Sequence, residues 1–139
     1  MIYWRYMRLN HEQPICVQPD SCDFITACGK PRGLNQFCHP SIGQSVLDSI
    51  GHYHEKGRWF CDLAVLMPDH THRLLHFPPD QTMTKTVGLW KRWIARVYSI
   101  QWQSGFFDHR LRNEENIDQK GLYILQNPIR AKLVERPED

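Results

Sequence analysis

The feature that most constrains the fold is an apolar run that is followed, after three residues of turn chemistry, by a second predicted strand. Trp59 to Leu66 is the apolar run and has the content of a buried strand, and His70 to Phe77 is the second strand. Met67-Pro68-Asp69 breaks the chain between them, and Pro78-Pro79 ends the second run. Because so short a turn joins only strands that run in opposite directions, we expect an antiparallel hairpin here.

The segments on both sides of this hairpin predict an α+β fold. In chain order they are a strand at Asp23–Cys28, a helix through Ile42–Tyr53 capped by Gly57, the hairpin, a helix at Thr84–Ile100, a strand at Gly105–Leu111 and a helix at Glu114–Asn127 ended by Pro128. The first six elements match the ferredoxin-like split βαβ arrangement, an antiparallel sheet with helices on one face. Residues 1–22 show few periodic signals, so we predict an irregular N-terminal arm followed by one domain at residues 23–139.

Composition agrees with one folded domain and excludes several classes of protein. The 139 residues are 41% hydrophobic and 12% aromatic, which is typical of a globular chain of single-domain size. No segment approaches the roughly 18 apolar residues of a membrane span. The five cysteines are odd in number and lack CxxC spacing, so we expect free thiols in a reducing bacterial cytoplasm rather than a disulfide framework.

Two histidines in the second strand of the hairpin form a candidate metal site. His70 and His72 are two residues apart, so the pleat points both imidazoles to the same face. Neutral imidazoles placed in this way can share one divalent cation. In a chain with eight histidines, the same spacing is also explained by two surface histidines without a ligand.

A tyrosine in the last predicted helix forms the second candidate site. At about 100° per residue, Tyr123 lies opposite the centre of the apolar arc of this helix. Asn127 lies one turn later on the same face, where its amide oxygen and the phenol can meet one ligand. A surface tyrosine beside an Asn-Pro helix stop explains the pattern equally well.

Basic residues are concentrated between Thr84 and Arg112. This segment holds six cationic side chains against Asp108 alone, a local charge of six minus one, or +5; they are Lys85, Lys91, Arg92, Arg96, Arg110 and Arg112. Such an excess suits a phosphate backbone. The alternative is a solvated helix face.

Several motifs follow one another at compatible spacing. They are Val65–His72, Trp90-Lys91, Trp102-Gln103 with Gly105–His109, Leu111-Arg112, Tyr123-Ile124 with Asn127-Pro128, and Arg130-Ala131. In this order the motifs resemble the REP-associated tyrosine transposases, which are relatives of the single-tyrosine transposases of small insertion sequences. The resemblance spans roughly Asp23 to Val134.

The resemblance implies that residues 23–139 are an HUH transposase-like catalytic domain. It makes His70 and His72 ligands of a Mg²⁺ or Mn²⁺ ion, Asn127 the ligand that completes the metal site, and Tyr123 the nucleophile. The implied activity is a metal-dependent single-strand DNA endonuclease and strand transferase. It would act on single-stranded or hairpin DNA, such as a REP palindrome, through a 5′-phosphotyrosine intermediate, with monomer and homodimer equally open.

Two residues depart from the family pattern, and two other functions stay open. Thr71 and Arg73 stand where apolar residues are common, but both alternate away from the ligand face. The first alternative is a hairpin-DNA-binding protein that has lost cleavage. The second is a zinc-dependent hydrolase that uses the two histidines with a third one, His76 or His109.

Overall fold

The structure, a computed structural model, describes residues 5–8, 22–111 and 114–126 of the chain. Its elements are β1 (Arg5–Arg8), β2 (Cys22–Cys28), α1 (Pro40–Glu55), β3 (Phe60–Met67), β4 (His70–His76), α2 (Met83–Tyr98), β5 (Phe107–Leu111) and α3 (Glu114–Leu125). The predicted α+β class and the predicted order of elements from β2 to α3 are confirmed.

The five strands form one antiparallel sheet in the order β1-β3-β4-β2-β5. The hairpin between β3 and β4 is closed by Pro68-Asp69, with Met67 paired to His70. β4 returns between β2 and β3, which is the split βαβ arrangement predicted from the sequence. The histidine-bearing strand is therefore the middle strand of the sheet and is hydrogen-bonded on both sides.

The N-terminal segment differs from the prediction. Residues 1–22 are predicted to be irregular, yet β1 pairs with β3 and forms an edge of the sheet, with Arg5 opposite Leu66 and Arg8 opposite Leu63. The signal is missed because four residues are too few for a period-2 pattern. Pairing at an edge requires only backbone donors and acceptors, which every non-proline residue carries.

The helices divide between the two faces of the sheet. Alternation along β4 places Thr71, Arg73 and Leu75 on one side, here named the helical face, because α1 and α2 pack against it. His70, His72, Leu74 and His76 lie on the other side, here named the histidine face. Gly121 of α3 faces the side chains of Leu74 and Leu63, so α3 packs on the histidine face.

The ends of α1 follow the sequence signals. Pro40 occupies the first turn, where its missing N–H costs no hydrogen bond. Gly57 has a φ of +68° just beyond the helix, a conformation that glycine adopts without steric cost. The predicted glycine cap is confirmed.

Two further observations concern the composition of the chain. The cysteines of the described residues, Cys22, Cys28, Cys38 and Cys61, are all buried free thiols. Among the described helices, none is long and apolar enough to cross a membrane.

An arginine is enclosed in the core of the helical face. The guanidinium of Arg73 is fully buried, lies 4.1 Å from the ring centre of Trp90 and 5.3 Å from that of Trp59, and its three nitrogens have no hydrogen-bond partner among the described residues. Burial lowers the pKa of Arg73 to about 10, against the opposing effect of Cys61. Cation–π contacts offset part of the desolvation cost, but they do not replace five N–H hydrogen bonds.

We therefore expect Arg73→Met to raise the free energy of unfolding by about 1–2 kcal/mol, because the apolar side chain fills similar volume without a buried charge. Urea denaturation of the two proteins measures the difference. Arg73→Ala is the matched control and should destabilise the protein, since it leaves a cavity between two tryptophans. A loss of stability in Arg73→Met equal to that in Arg73→Ala would contradict this account.

Candidate functional site

The two predicted ligand histidines converge on one point of the histidine face. His70 Nε2 and His72 Nε2 lie 3.1 Å apart, and the two rings are nearly perpendicular at 79°. Two nitrogens bound to one cation at about 2.1 Å each, roughly at right angles, would be separated by about 3 Å. The spacing of the imidazoles fits a shared metal ion.

The other nitrogen of each ring is held by a separate partner. His70 Nδ1 lies 2.7 Å from Asp69 Oδ1, and His72 Nδ1 lies 2.9 Å from Thr26 Oγ1, on the neighbouring strand. Thr26 is paired with His72 in the sheet, so strand register places this hydroxyl. When each Nδ1–H donates to its oxygen, each Nε2 carries a lone pair, which is the tautomer that a metal ligand needs.

Asp69 is itself fixed by the loop after β2. Its Oδ2 accepts a 2.7 Å hydrogen bond from the Gly33 amide and a 2.9 Å bond from Arg32 Nε. Burial alone would raise the pKa of Asp69, but the hydrogen bonds from His70, Gly33 and Arg32 outweigh it and hold the pKa at about 2. The carboxylate is therefore charged throughout the neutral range.

Burial has the opposite consequence for His70. Desolvation lowers the pKa of His70, and the attraction of Asp69 only partly opposes this. The neutral imidazole is favoured near pH 7, and only the neutral form binds a metal.

Tyr123 lies on α3, which covers the same face of the sheet. The tyrosine side chain is 50% exposed, whereas the next residue, Ile124, is fully buried. This agrees with the position of Tyr123 away from the apolar arc. Leu122 falls within the apolar arc that the sequence predicts for this helix, but its side chain is exposed.

A row of side chains connects the tyrosine to the histidine pair. The ring of Phe24 stacks on His72, with centroids 5.3 Å apart and planes 21° apart. Lys120 Nζ lies 4.8 Å from the ring centre of Phe24 and 5.0 Å from that of Tyr123. The phenol and the two imidazoles therefore share one face of the molecule, with an ammonium group beside the phenol.

Two of the predicted site residues lie outside the described residues. These are Asn127, the predicted third ligand, and Arg112, the last of the predicted DNA contacts. Their roles remain predictions.

The predicted DNA contacts do not form one surface around the histidines. Lys85, Arg92 and Arg96 are exposed along α2, which lies on the helical face. Arg110, on β5 at the edge of the sheet, is also exposed, and its Nε lies 3.5 Å from Asp23 Oδ1. The described members of the basic segment are thus separated from the histidine pair by the sheet.

Lys91, which is predicted to contact DNA, is instead buried on α2. Its side chain is only 8% exposed, and Nζ donates to the carbonyl oxygens of Gln103 and Gly105 while lying over the ring of Trp102. Burial, followed by the charge of Arg73, lowers the pKa of Lys91. We assign this lysine to holding the segment that leads into β5 rather than to contact with a ligand.

A sizeable concavity lies on the helical face, away from the histidine pair. It has a volume of about 1060 Å³ and lies between α1 and α2, where Asp48, His52, Arg58, Trp93 and Arg96 contribute to its lining. The histidine pair does not contribute to it.

A third group of potential ligands was not foreseen. Cys22 Sγ, an Asp62 oxygen and a His76 nitrogen all lie within 4.8 Å of one another on the histidine face. Sequence reasoning missed it because the three residues come from three strands, and the β3 strand is shifted in register between Cys61 and Leu63. The spacing of the three residues in the sequence does not indicate that they come together in the fold.

The positions of His76 and His109 correct the hydrolase alternative. His76 is four residues from His72 on one strand, about 13 Å away, and its Nε2 is 2.7 Å from Asp62 Oδ2. His109 lies on β5 and pairs with Phe24 on β2. β5 is two strands from β4, so the two backbones are separated laterally by about 9–10 Å. Both positions argue against a shared ion with His70 and His72.

Comparison with known proteins establishes the fold. No protein-family model and no curated protein matches the chain. Among solved structures, a REP-associated tyrosine transposase bound to a REP hairpin matches 92% of this chain and 78% of its own, with a TM-score of 0.72 at 19% identity. A presumed transposase from Deinococcus radiodurans R1 matches 84% of this chain and 95% of its own, with a TM-score of 0.53 at 15% identity. The fold is thus that of the transposases that the motifs resemble.

We expect Asp69→Asn to weaken Mn²⁺ binding by about 10–100-fold, because the amide no longer holds the His70 ring and its tautomer as the carboxylate does. Titration of Mn²⁺ followed by paramagnetic resonance or calorimetry measures the affinity. Asp48→Asn, at an exposed position of α1, is the matched control and should bind as the parent protein does. Equal affinities in all three proteins would refute a role for Asp69 in positioning the ligand.

Proposed function

We propose that the chain is a transposase-like enzyme, a metal-dependent single-strand DNA endonuclease and strand transferase. The observation that carries the proposal is the convergence of His70 Nε2 and His72 Nε2 at 3.1 Å, with both Nδ1 atoms anchored, on the face where Tyr123 is exposed. A metal site beside a nucleophile explains why both imidazoles are held in fixed orientations.

The donor set fits a divalent cation. His70 and His72 would supply two nitrogen ligands and Asn127 an amide oxygen, with Mg²⁺ or Mn²⁺ as the ion. When bound, the ion would polarise a phosphoryl oxygen and stabilise the charge that develops during the reaction. The protein's own contribution is to fix the two rings through Asp69 and Thr26.

Tyr123 would act as the nucleophile on a DNA phosphodiester. Its phenol oxygen forms a bond to phosphorus, and the bond from phosphorus to the 3′ oxygen breaks. The phenol proton is released to solvent, and the departing 3′ oxygen takes up a proton from solvent, leaving a free 3′ hydroxyl and a 5′-phosphotyrosine. Attack by a 3′ hydroxyl reverses the step and joins strands without ATP.

Lys120 is placed to assist Tyr123. Its ammonium lies against the Tyr123 and Phe24 rings on the histidine face, where a scissile phosphate would meet the phenol. A positive charge in this position favours an anionic substrate. We assign Lys120 to orientation of the phosphate.

The substrate we propose is single-stranded or hairpin DNA. The solved structure with the higher TM-score is a transposase bound to a REP hairpin. Phe107 of this chain is 69% exposed on the histidine face, paired with Thr26, which is in turn paired with His72. An exposed aromatic ring beside the metal site offers a surface on which an unpaired base can stack.

The basic stripe of α2, defined as Lys85, Arg92 and Arg96, would contact the phosphate backbone further from the nick, together with Arg110. The three residues of the stripe are spaced by seven and four positions, so they follow one side of the helix. Because they lie on the helical face, a hairpin stem would have to pass around the β5 edge to reach both surfaces. The stripe would then contribute to affinity for many sequences alike.

The departures from the family pattern do not affect the proposed chemistry. Thr71 and Arg73 are both fully buried on the helical face, away from the ligand atoms. A protein that only binds hairpins would need neither the anchored imidazoles nor an exposed tyrosine beside them. No observation in the described residues favours that alternative.

The proposal is tested by following a covalent adduct. Hairpin and single-stranded oligonucleotides with sequences taken from the DNA that flanks the coding region are incubated with protein and Mn²⁺, with the label placed on either side of the nick. We expect an adduct to the 5′ phosphate side, mapped by mass spectrometry to Tyr123. Tyr123→Phe should keep DNA binding and lose the adduct, because only the nucleophilic oxygen is removed, and His70→Ala should lose metal-dependent nicking.

Tyr98→Phe is the matched control and should form the adduct normally. An adduct on Tyr53 or Tyr98, or full cleavage by Tyr123→Phe, would show that the nucleophile is another residue. Unchanged nicking by a folded His70→Ala protein would refute the metal site. Cleavage without any adduct would indicate direct hydrolysis instead.

Removal of charge from the basic stripe should weaken DNA binding without sequence preference. For the double substitution Arg92→Ser and Arg96→Ser, we expect the slope of log affinity against log salt to fall by about one unit per lost phosphate contact. Arg92→Lys with Arg96→Lys retains the charges and is the matched control. An unchanged affinity and salt slope in the serine variant would mean that the stripe is only solvated.

A further inference from the structure

A second set of metal-binding atoms lies at the opposite end of β4 from His70. Cys22 on β2, Asp62 on β3 and His76 on β4 each bring one donor atom, and all three atoms lie within 4.8 Å of one another. The three strands are neighbours at the centre of the sheet. One ion at this point would therefore be bound by three adjacent strands.

The local backbone explains why these side chains meet. Asp23 pairs with Leu75, so Cys22 is the residue that faces His76 across the ladder. On the other side, Cys61 pairs with Leu75 and Leu63 with Leu74, which leaves Asp62 as the extra residue of a β-bulge. The bulge turns Asp62 toward the histidine face, where its Oδ2 reaches His76 Nε2 at 2.7 Å.

The burial of the group excludes a catalytic thiol. Cys22 is fully buried and His76 almost so, and only the Asp62 side chain, 30% exposed, has contact with solvent. Burial, followed by the negative charges of Asp62 and Asp23, raises the pKa of the Cys22 thiol well above its usual range. A protonated, enclosed thiol is not a nucleophile.

The same surroundings are suited to a cation. A bound metal ion deprotonates a thiol that it coordinates, and the carboxylates that oppose ionisation of Cys22 would then be attracted to the ion. The part-exposed Asp62 provides a route of entry. The thiolate distinguishes this donor set from the histidine pair and selects zinc over magnesium or calcium, because sulfur is a poor ligand for the harder ions.

We propose that Cys22, Asp62 and His76 form a zinc site that is separate from the histidine pair. Zinc ligands of this kind stand roughly 3.3 Å apart at tetrahedral angles, so the contact between Asp62 and His76 has to open by about half an ångström. The fourth position would be filled by water at the exposed side of Asp62. His76 is four residues from His72, about 13 Å along the strand, so the two ions would not share a ligand.

Such an ion would stabilise the sheet that carries the histidine pair. It would fasten β2, β3 and β4 to one another at the end where β3 is bulged and its ladder is interrupted. Zinc that binds only the folded protein adds stability in proportion to the logarithm of its concentration. We expect Tm to rise by roughly 5–10 °C at zinc about 100-fold above Kd.

The experiment uses cobalt as a spectroscopic substitute for zinc in the chelator-treated full chain. We expect Co²⁺ to produce a thiolate-to-metal charge-transfer band and tetrahedral visible bands that saturate at one equivalent and are abolished by Zn²⁺. Cys22→Ser should lose the charge-transfer band. Asp62→Asn, which is isosteric and part-exposed, should fold normally and weaken zinc binding by about tenfold or more.

Two controls separate this site from the other thiols and from the histidine pair. Cys61→Ser alters a buried thiol on the opposite face of the sheet, and His70→Ala alters the histidine pair; both proteins should keep the cobalt spectrum. Absence of a charge-transfer band in the parent protein, or its persistence in Cys22→Ser, would overturn the proposal. So would an equal zinc-dependent rise of Tm in the parent protein and Asp62→Asn, which also decides the matter if Cys22→Ser does not fold.

Discussion

The position of β4 between β2 and β3 is the constraint on which both faces of the molecule depend. A strand has a side-chain period of two, so one register assigns His70, His72 and Leu74 to one face and Thr71, Arg73 and Leu75 to the other. A slip by one residue would exchange the two sets, placing the Arg73 guanidinium where the imidazoles stand. Pairing on both sides of β4 and the two-residue turn before it exclude that slip.

The turn before β4 also connects the sheet to the loop that holds Asp69 beside His70. Gly29 N donates to the Asp69 carbonyl at 2.7 Å, and Gln36 N donates to the Pro68 carbonyl at 2.9 Å. A Cβ at Gly29 would lie 2.7 Å from Gln36 Nε2 and 3.2 Å from the Asp69 carbonyl oxygen, so a side chain here would displace Gln36 and crowd the turn. These backbone hydrogen bonds fix the position of Asp69, and the Asp69 carboxylate in turn orients the His70 ring.

The structural features that depend on short-range sequence pattern could be predicted from the sequence. The contacts between side chains on strands that are distant in the sequence could not. The hairpin and the common face of His70 and His72 follow from a turn signal and a two-residue period. Nothing in the sequence pairs Thr26 with His72 or brings Cys22 to His76, because strand order and a β-bulge decide both. Lys91 was misplaced for a similar reason: its helical position indicates a polar side, but the carbonyl oxygens that receive its ammonium belong to residues 103 and 105, which follow α2.

The charges around the histidine pair suit a polyanion once a divalent ion is present. Asp69 is matched by Arg32, and the lowered pKa of His70 keeps that imidazole neutral near pH 7, so His70 does not repel an incoming cation. Lys120 adds a further positive charge on the same face, held against Phe24 and Tyr123. A negatively charged phosphodiester would therefore be attracted to the point where the phenol is exposed. Asp69 would not compete with the phosphate for the ion, because its two oxygens already accept hydrogen bonds from His70, Gly33 and Arg32.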